Sequence, residues 1–169
     1  MELVDLYNEN RTPLGRTHNR ANKLAPDEFI IVVGIWIFNS KNEILLTKRH
    51  PNKSYAPNLW ENTGGHVSAG ETSIAAVVRE LREETGVIAE EDEVHYIGSV
   101  KVPPFFGDNY YVRKDFPASD IVLQEGETCD AKWVTYDEFI NMIATEELAP
   151  SVAAHLKPIR EELEKALKN

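Results

Sequence analysis

The sequence is poor in cysteine and contains no long apolar run. Its single cysteine, Cys129, excludes an intramolecular disulfide and a zinc site built from several thiolates. The longest apolar stretch, residues 29–38, is too short to cross a bilayer, and no apolar segment follows a basic N-terminal region as in a signal peptide. We therefore expect a protein that works in a reducing, cytoplasmic setting and does not enter a membrane.

Positive charge is also scarce. Lys and Arg together number 18 against 28 Asp and Glu, so the formal net charge is −10 at pH 7. Because nucleic-acid polymers and anionic membranes attract clustered Lys and Arg, this balance argues against both as partners. It allows a small phosphorylated substrate, provided that metal ions offset the carboxylates around that substrate.

Length and patterning predict one globular domain over residues 1–169, with 42 % hydrophobic and 27 % charged residues. Residues 1–28 are interpreted as an N-terminal strand and extension, irregular over residues 11–26, and as a candidate homodimer contact. Apolar periodicity and residue type predict strands at 2–7, 29–38, 43–48, 94–102, 109–116 and 131–134, and helices at 72–85, 136–144 and 151–167. The strands at 29–38 and 43–48 are expected to form a hairpin. This order of elements predicts an α+β fold, an α/β/α sandwich with a mixed sheet.

Three carboxylates lie on one face of the helix predicted at residues 72–85. Glu80, Glu83 and Glu84 stand at positions i, i+3 and i+4. Like charges at this spacing repel by about 0.2–0.5 kcal/mol per pair, and a bound cation would offset that repulsion. Oxygen ligands of this kind suit Mg²⁺ or Mn²⁺. For three glutamates alone, however, a solvated acidic helix face is the simpler interpretation.

The surrounding pattern is far more specific than the three glutamates. Seven identities occur at fixed spacing: Gly65, Glu71, Arg79, Glu80, Glu83, Glu84 and Gly86. At a background frequency of roughly 6 % each, one accidental match in this length is expected less than about once in a million. Residues 65–87 resemble the Nudix box, Gly-x5-Glu-x7-Arg-Glu-U-x-Glu-Glu-x-Gly-U with U aliphatic, at every position. The order of elements around the box also resembles the Nudix fold.

This resemblance implies a hydrolase acting on phosphoric anhydride bonds. The implied reaction is metal-dependent cleavage of the diphosphate linkage in a nucleoside diphosphate derivative, a small-molecule substrate, by water. The implied ligands of Mg²⁺ or Mn²⁺ are Glu83, Glu84 and the Gly64 carbonyl. Glu80 is implied to be a further ligand or the group that orients or deprotonates water. Arg79, together with Glu71, is implied to hold these glutamates in place.

Candidates also lie outside the box. Nudix proteins often place another acidic ligand in a loop after the sheet strands, and Glu127, followed by Glu125, is our candidate there. A solvated acidic loop is the alternative for either residue. Lys48 and Arg49 are candidate substrate contacts because cationic side chains bind phosphate oxygens. Surface cations at a strand end are the alternative for that pair.

The flanking sequence resembles one Nudix branch, that of isopentenyl diphosphate isomerase, for example over residues 34–39 and 59–67. That enzyme shifts a double bond in a diphosphate substrate with a cysteine and a glutamate, beside a His-rich metal site. Gly64 stands where the isomerase cysteine is expected, so we interpret the chain as an isomerase-like hydrolase and keep isomerase activity as an alternative. His66 corresponds to a metal-binding histidine, and we expect it to contact substrate together with Gly65. A non-catalytic nucleotide-binding Nudix module is a third interpretation.

Overall fold

The computed structural model describes residues 2–168. The strands are β1 (Leu3–Tyr7), β2 (Pro13–Asn19), β3 (Ile30–Phe38), β4 (Ile44–Arg49), β5 (Trp60–Glu61), β6 (Thr63–His66), β7 (His95–Val102), β8 (Phe105–Arg113) and β9 (Thr128–Val134). The α-helices are α1 (Ser73–Thr85), α2 (Tyr136–Ala144) and α3 (Pro150–Lys168), and short 3₁₀ turns occupy Glu91–Glu93 and Ala118–Asp120. Within residues 2–168, none of the helices is both long enough and apolar enough to cross a membrane.

A seven-stranded mixed sheet forms the centre of the molecule. Its main path runs β5-β4-β3-β8-β7, while β6 also pairs with β3 and β9 also pairs with β4. β3 and β8 are parallel, whereas the other pairs of this sheet are antiparallel. The mixed sheet predicted from the order of elements is therefore confirmed.

The two faces of β3 belong to two separate apolar cores. Val33, Ile35 and Ile37 pack in one core with Ala76, Val77 and Leu81 of α1. Trp36 and Phe38 pack in the other core with side chains of α2 and α3. Successive residues of a strand point to opposite faces, so one continuous apolar run serves both cores. This arrangement confirms the α/β/α sandwich.

The N-terminal segment differs from its prediction. Residues 11–26 were expected to be irregular, but β2 within that range pairs antiparallel with β1 in a two-stranded sheet, with Leu3 opposite Asn19. The side chains of β2 are mostly exposed, so no apolar alternation marks this strand in the sequence. Its pairing depends on backbone hydrogen bonds to β1, which residue type alone does not reveal.

The predicted hairpin of β3 and β4 is only partly correct. The two strands pair at Phe38 and Ile44, beside their turn, and then diverge. β6 takes the place next to β3 from Val32 to Ile35, so β4 pairs instead with β5 and β9. The sequence did not predict β5 or β6, because one is two residues long and the other is rich in glycine. β8 starts four residues before its predicted start, directly after the turn at Pro103 and Pro104.

Candidate active site

The box residues form a strand, a loop and a helix that meet at one edge of the sheet. Helix α1 begins after Thr72, whose side-chain oxygen accepts a hydrogen bond from the Ala75 N–H at 3.2 Å. It ends at Gly86, whose φ of +71° is the left-handed conformation that favours glycine. The apolar stripe of α1 is buried, and Glu80 and Glu84 flank it on the side of the helix that faces β6.

Arg79 holds most of the box carboxylates in one network. Its guanidinium donates hydrogen bonds of 3.0 Å to both oxygens of Glu71 and one of 2.8 Å to Glu80. It also contacts Glu83 at 3.1 Å and the His66 carbonyl at 3.0 Å. These contacts raise the pKa of Arg79, with the bonds to Glu71 contributing most. Arg79 therefore stays charged and ties the loop, the helix and β6 together.

Glu84 is the carboxylate with the fewest compensating partners. It is half-buried, and among residues 2–168 its one hydrogen-bond donor is the Gly64 N–H, 3.3 Å from Oε2. Burial raises the pKa of Glu84 well above its usual range, and the charges of Glu61, Glu80 and Glu127 raise it further. A half-buried carboxylate surrounded by like charges is an electrostatic site for a cation.

The neighbouring carboxylates are held by basic side chains instead. Glu61 accepts two hydrogen bonds from Arg49, at 2.7 and 2.8 Å, and Glu127 forms a short ion pair with Lys53. As these side chains stand, no three His, Cys, Asp or Glu residues in the range 2–168 converge on a common metal position. Binding of a divalent ion would therefore require some of these carboxylates to turn from their basic partners. The chemistry of the set fits such an ion, because Mg²⁺ and Mn²⁺ prefer oxygen ligands.

Two glycines of β6 let the carboxylates approach the sheet. A Cβ atom on Gly65 would lie 2.2 Å from the Glu80 Cδ and Oε1 atoms. A Cβ atom on Gly64 would lie 2.3 Å from the backbone oxygen of Val33 on β3. A residue with a side chain at either position would therefore prevent this close approach.

A cavity of about 670 Å³ opens beside these residues. Its wall includes Gly64, Gly65 and His66 of β6, together with Tyr55, Glu61, Asn62, Phe105, Ser151 and His155. Burial, with a smaller contribution from the charge of Arg20, lowers the pKa of His66 to about 4, so the imidazole is neutral at pH 7. Among the nine residues named, Glu61 alone carries a full charge. The cavity is therefore mostly apolar, and two glycines of its wall, Gly64 and Gly65, adjoin Glu84 and Glu80.

The two cations proposed from the sequence are not part of this wall. Arg49 contacts Glu61 and also donates to the Tyr55 carbonyl at 2.9 Å. The Lys48 ammonium lies 5.6 Å from the centre of the Trp60 ring. Both are placed by contacts within the protein, and direct phosphate binding by either residue stays a prediction.

Comparison with known proteins identifies the family. A model of the NUDIX domain matches residues 28–157, which is more than half of the chain. The chain belongs to the Nudix family. It is 38 % identical over 151 residues to an uncharacterized Nudix hydrolase of Listeria monocytogenes, covering 89 % of each chain. With its relatives it is a Nudix hydrolase acting on pyrophosphate bonds, and hydrolases of this family generally use divalent metal ions.

Two further similarities bear on the branch and on the fold. The chain is 34 % identical over 98 residues to the isopentenyl-diphosphate Delta-isomerase of Escherichia coli, covering 57 % of this chain and 54 % of the isomerase. A crystal structure of a Deinococcus radiodurans protein superposes with a TM-score of 0.74 at 27 % identity, covering 88 % of this chain and 92 % of that one. The resemblance to the isomerase branch is thus partial, while the fold matches over most of the chain.

Sequence reasoning missed two residues of this Nudix site. Glu61 lies on β5 and acts on Glu84, but no spacing relative to the box marks it. His155 lies on α3 in the cavity wall, and burial lowers its pKa. A lone histidine on an amphipathic helix gives no sequence signal. Both residues join the site only because β5 and α3 pack beside β6.

Proposed function

We propose that this Nudix hydrolase is a divalent-metal-dependent pyrophosphohydrolase that cleaves the diphosphate linkage of a nucleoside diphosphate derivative by water attack. The observation that carries this proposal is the environment of Glu84. Its carboxylate has one long hydrogen bond and lies among Glu61, Glu80 and Glu127. A metal ion together with substrate phosphates provides the charge balance that this group lacks.

The ligands of the metal would come from α1, from β6 and from the loop before β9. Glu84 is the first ligand, because it does not have to leave a basic side chain before it can bind a metal ion. The remaining proposed ligands are Glu80, Glu83, the Gly64 carbonyl and Glu127. When bound, Mg²⁺ or Mn²⁺ would neutralise the charge of the phosphate oxygens and activate a water molecule.

The protein groups position water and substrate for an in-line displacement. The water oxygen forms a bond to one phosphorus, and the bond from that phosphorus to the bridging oxygen breaks. The bridging oxygen leaves with its electron pair on the second phosphate, while the water releases a proton to a nearby carboxylate. Glu80 is our candidate for that proton acceptor, or else a further ligand, and Arg79 keeps its carboxylate against Gly65.

The apolar cavity supports a nucleoside as part of the substrate. Pockets for such ligands are mostly apolar, with a few polar groups that fix orientation. Here Tyr55 and Phe105 supply aromatic surface, and Asn62, Ser151 and neutral His155 supply polar atoms. In this arrangement the diphosphate lies over β6, next to the box carboxylates.

A phosphate-release screen over a panel of diphosphates tests the proposal. We expect turnover with Mg²⁺ or Mn²⁺ and none with chelator. Glu84→Gln is expected to lower kcat at least about 100-fold and to weaken Mn²⁺ binding measured by calorimetry. Glu91→Gln is the matched control, because Glu91 is an exposed acid outside the box. Full turnover by Glu84→Gln, or by a Glu83→Gln/Glu84→Gln double variant, would overturn the proposal.

Two other outcomes would replace the proposed hydrolase function with one of the alternative functions. Isomerisation of isopentenyl diphosphate without phosphate release would make the chain an isomerase, despite Gly64 at the position expected for the cysteine. Nucleotide binding without turnover at saturating Mg²⁺ and Mn²⁺ would make it a binding module. The homodimer, the single domain over residues 1–169 and the cytoplasmic location stay predictions.

A further inference from the structure

A second cavity, of about 600 Å³, adjoins the first. The two share His66, Pro103 and Phe105 in their walls, so they meet at the end of β6. The second cavity is closed on its other side by β2 and the loop that follows it. A ligand in the first cavity can therefore extend past His66 into the second.

The charges of the two cavities differ in sign. No Lys or Arg among residues 2–168 lines the first cavity, whose charged group is Glu61. The second cavity is lined by Arg20 and Lys23, together with His18. The contrast indicates that the two ends of a bound substrate differ in charge.

Arg20 shares the wall of the second cavity with His66, which borders both cavities. Its one ion pair among the described residues joins it to Glu2 at 2.5 Å, and both side chains are well exposed. An exposed pair of this kind contributes little stability, so a phosphate can replace Glu2 as the partner of Arg20.

The loop that presents these cations is held in place by its own hydrogen bonds. The Asn22 N–H donates to the Asn19 carbonyl at 2.9 Å, and the His18 ring contacts the Asn22 carbonyl at 3.2 Å. Further along, the Ala25 N–H donates to the buried Glu28 carboxylate at 2.8 Å. The cations therefore project from a structured loop at the mouth of the cavity.

We propose that Arg20 and Lys23 form an anion subsite for a phosphate group that lies beyond the scissile linkage. This inference rests on the proposed function and narrows its substrate class. The preferred substrates carry a further phosphate on the departing part, as nucleoside triphosphates do, which hydrolysis converts to a nucleoside monophosphate and pyrophosphate. Nucleoside diphosphate sugars with a neutral sugar place no charge in the subsite and are poorer substrates.

The test compares kcat/KM for a nucleoside triphosphate with that for the diphosphate sugar of the same nucleoside. Arg20→Gln is expected to lower the triphosphate value about tenfold and to leave the sugar value within twofold; Lys23→Gln is expected to change the ratio in the same direction. Arg160→Gln is the control, because Arg160 forms a similar exposed ion pair with Glu164 and lines neither cavity. Melting curves check that each variant is folded.

A binding experiment separates this inference from the proposed function. Calorimetry with inorganic tripolyphosphate and no metal is expected to show weaker binding to Arg20→Gln than to the wild type. If Arg20→Gln weakens this binding but the wild type hydrolyses no diphosphate, the subsite is supported and the proposed function is overturned. The subsite alone would be overturned if an active Arg20→Gln variant kept the wild-type ratio of kcat/KM for the triphosphate to kcat/KM for the diphosphate sugar. It would also be overturned if the wild type preferred the substrate with the neutral sugar.

Discussion

Gly65→Ala should displace the Glu80 carboxylate while leaving the stability of the fold nearly unchanged. The added methyl group would lie 2.2 Å from Glu80 Cδ and Oε1, whereas ordinary contact begins near 3.4 Å. The Glu80 carboxylate must therefore retreat by about 1 Å, a displacement for which about a 100-fold loss of kcat is typical. Because the obstacle is the free end of a flexible side chain, the free energy of unfolding should change by less than about 1 kcal/mol.

The neighbouring position should respond in the opposite way. A methyl group on Gly64 would lie 2.3 Å from the Val33 backbone oxygen, and that oxygen belongs to a strand and has little freedom to move. Gly64→Ala is therefore expected to destabilise the fold by about 1–3 kcal/mol. Each kcal/mol lowers the melting temperature by about 2–4 °C in a protein of this size.

The assay measures kcat and KM on a diphosphate that the wild type hydrolyses, at saturating metal, together with melting curves. Gly98→Ala is the control, because its methyl group would lie on β7 against Ile159 at 3.2 Å, away from the site. We expect it to keep wild-type kcat. A Gly65→Ala variant with kcat within threefold of wild type would refute the reasoning about Glu80. A Gly65→Ala variant that fails to fold would refute the claim that the side chain absorbs the clash.

Two further changes test the networks around the site. Arg79→Lys keeps the charge but loses the planar group that contacts both oxygens of Glu71, so kcat should fall about 10–100-fold with little change in melting temperature; wild-type kcat would contradict this. Asp108→Asn weakens the pair with Arg11, which is 34 % exposed, and should lower the free energy of urea unfolding at pH 7 by about 2 kcal/mol. Burial alone would raise the pKa of Asp108, but hydrogen bonds from Arg11 and Ser73 outweigh it and lower the pKa. The pair thus stabilises the fold at pH values above the pKa of about 4 that Asp108 has in the unfolded chain. The difference in unfolding free energy between wild type and variant should close as pH falls through the pKa of Asp108 in the folded state. A constant gap from about pH 7 to pH 3 would contradict the assignment.

Local periodicity explains what was predictable in this chain. The helix predicted at residues 136–144 is found at Tyr136–Ala144, and α1 lies within one residue of its prediction. Once α1 is a helix, its 3.6-residue repeat places the box glutamates on one side and Val77 with Leu81 in the core. The family and its reaction class follow from the same segment, because the box is a continuous stretch of sequence.

Contacts between distant segments were not predictable in this way. Glu61 comes from β5, and Glu127, the candidate implied by the Nudix resemblance, comes from the loop before β9. Each affects Glu84 only after those segments pack beside the box. The ion pair of Arg49 with Glu61 likewise depends on the pairing of β4 with β5, which local periodicity does not predict. Strand pairing joins residues far apart in the chain, so its outcome depends on the whole sheet.

The sequence by itself determined the box, its helix and the class of reaction, because those depend on residue type at short fixed spacing. The tertiary structure decided which box carboxylate has no basic partner among the described residues and which cations line the second cavity. Glu84 is poorly compensated because β6 and its neighbours bring other acids to it. Arg20 borders the second cavity because β2 pairs with β1, a contact that no local pattern in residues 11–26 reveals.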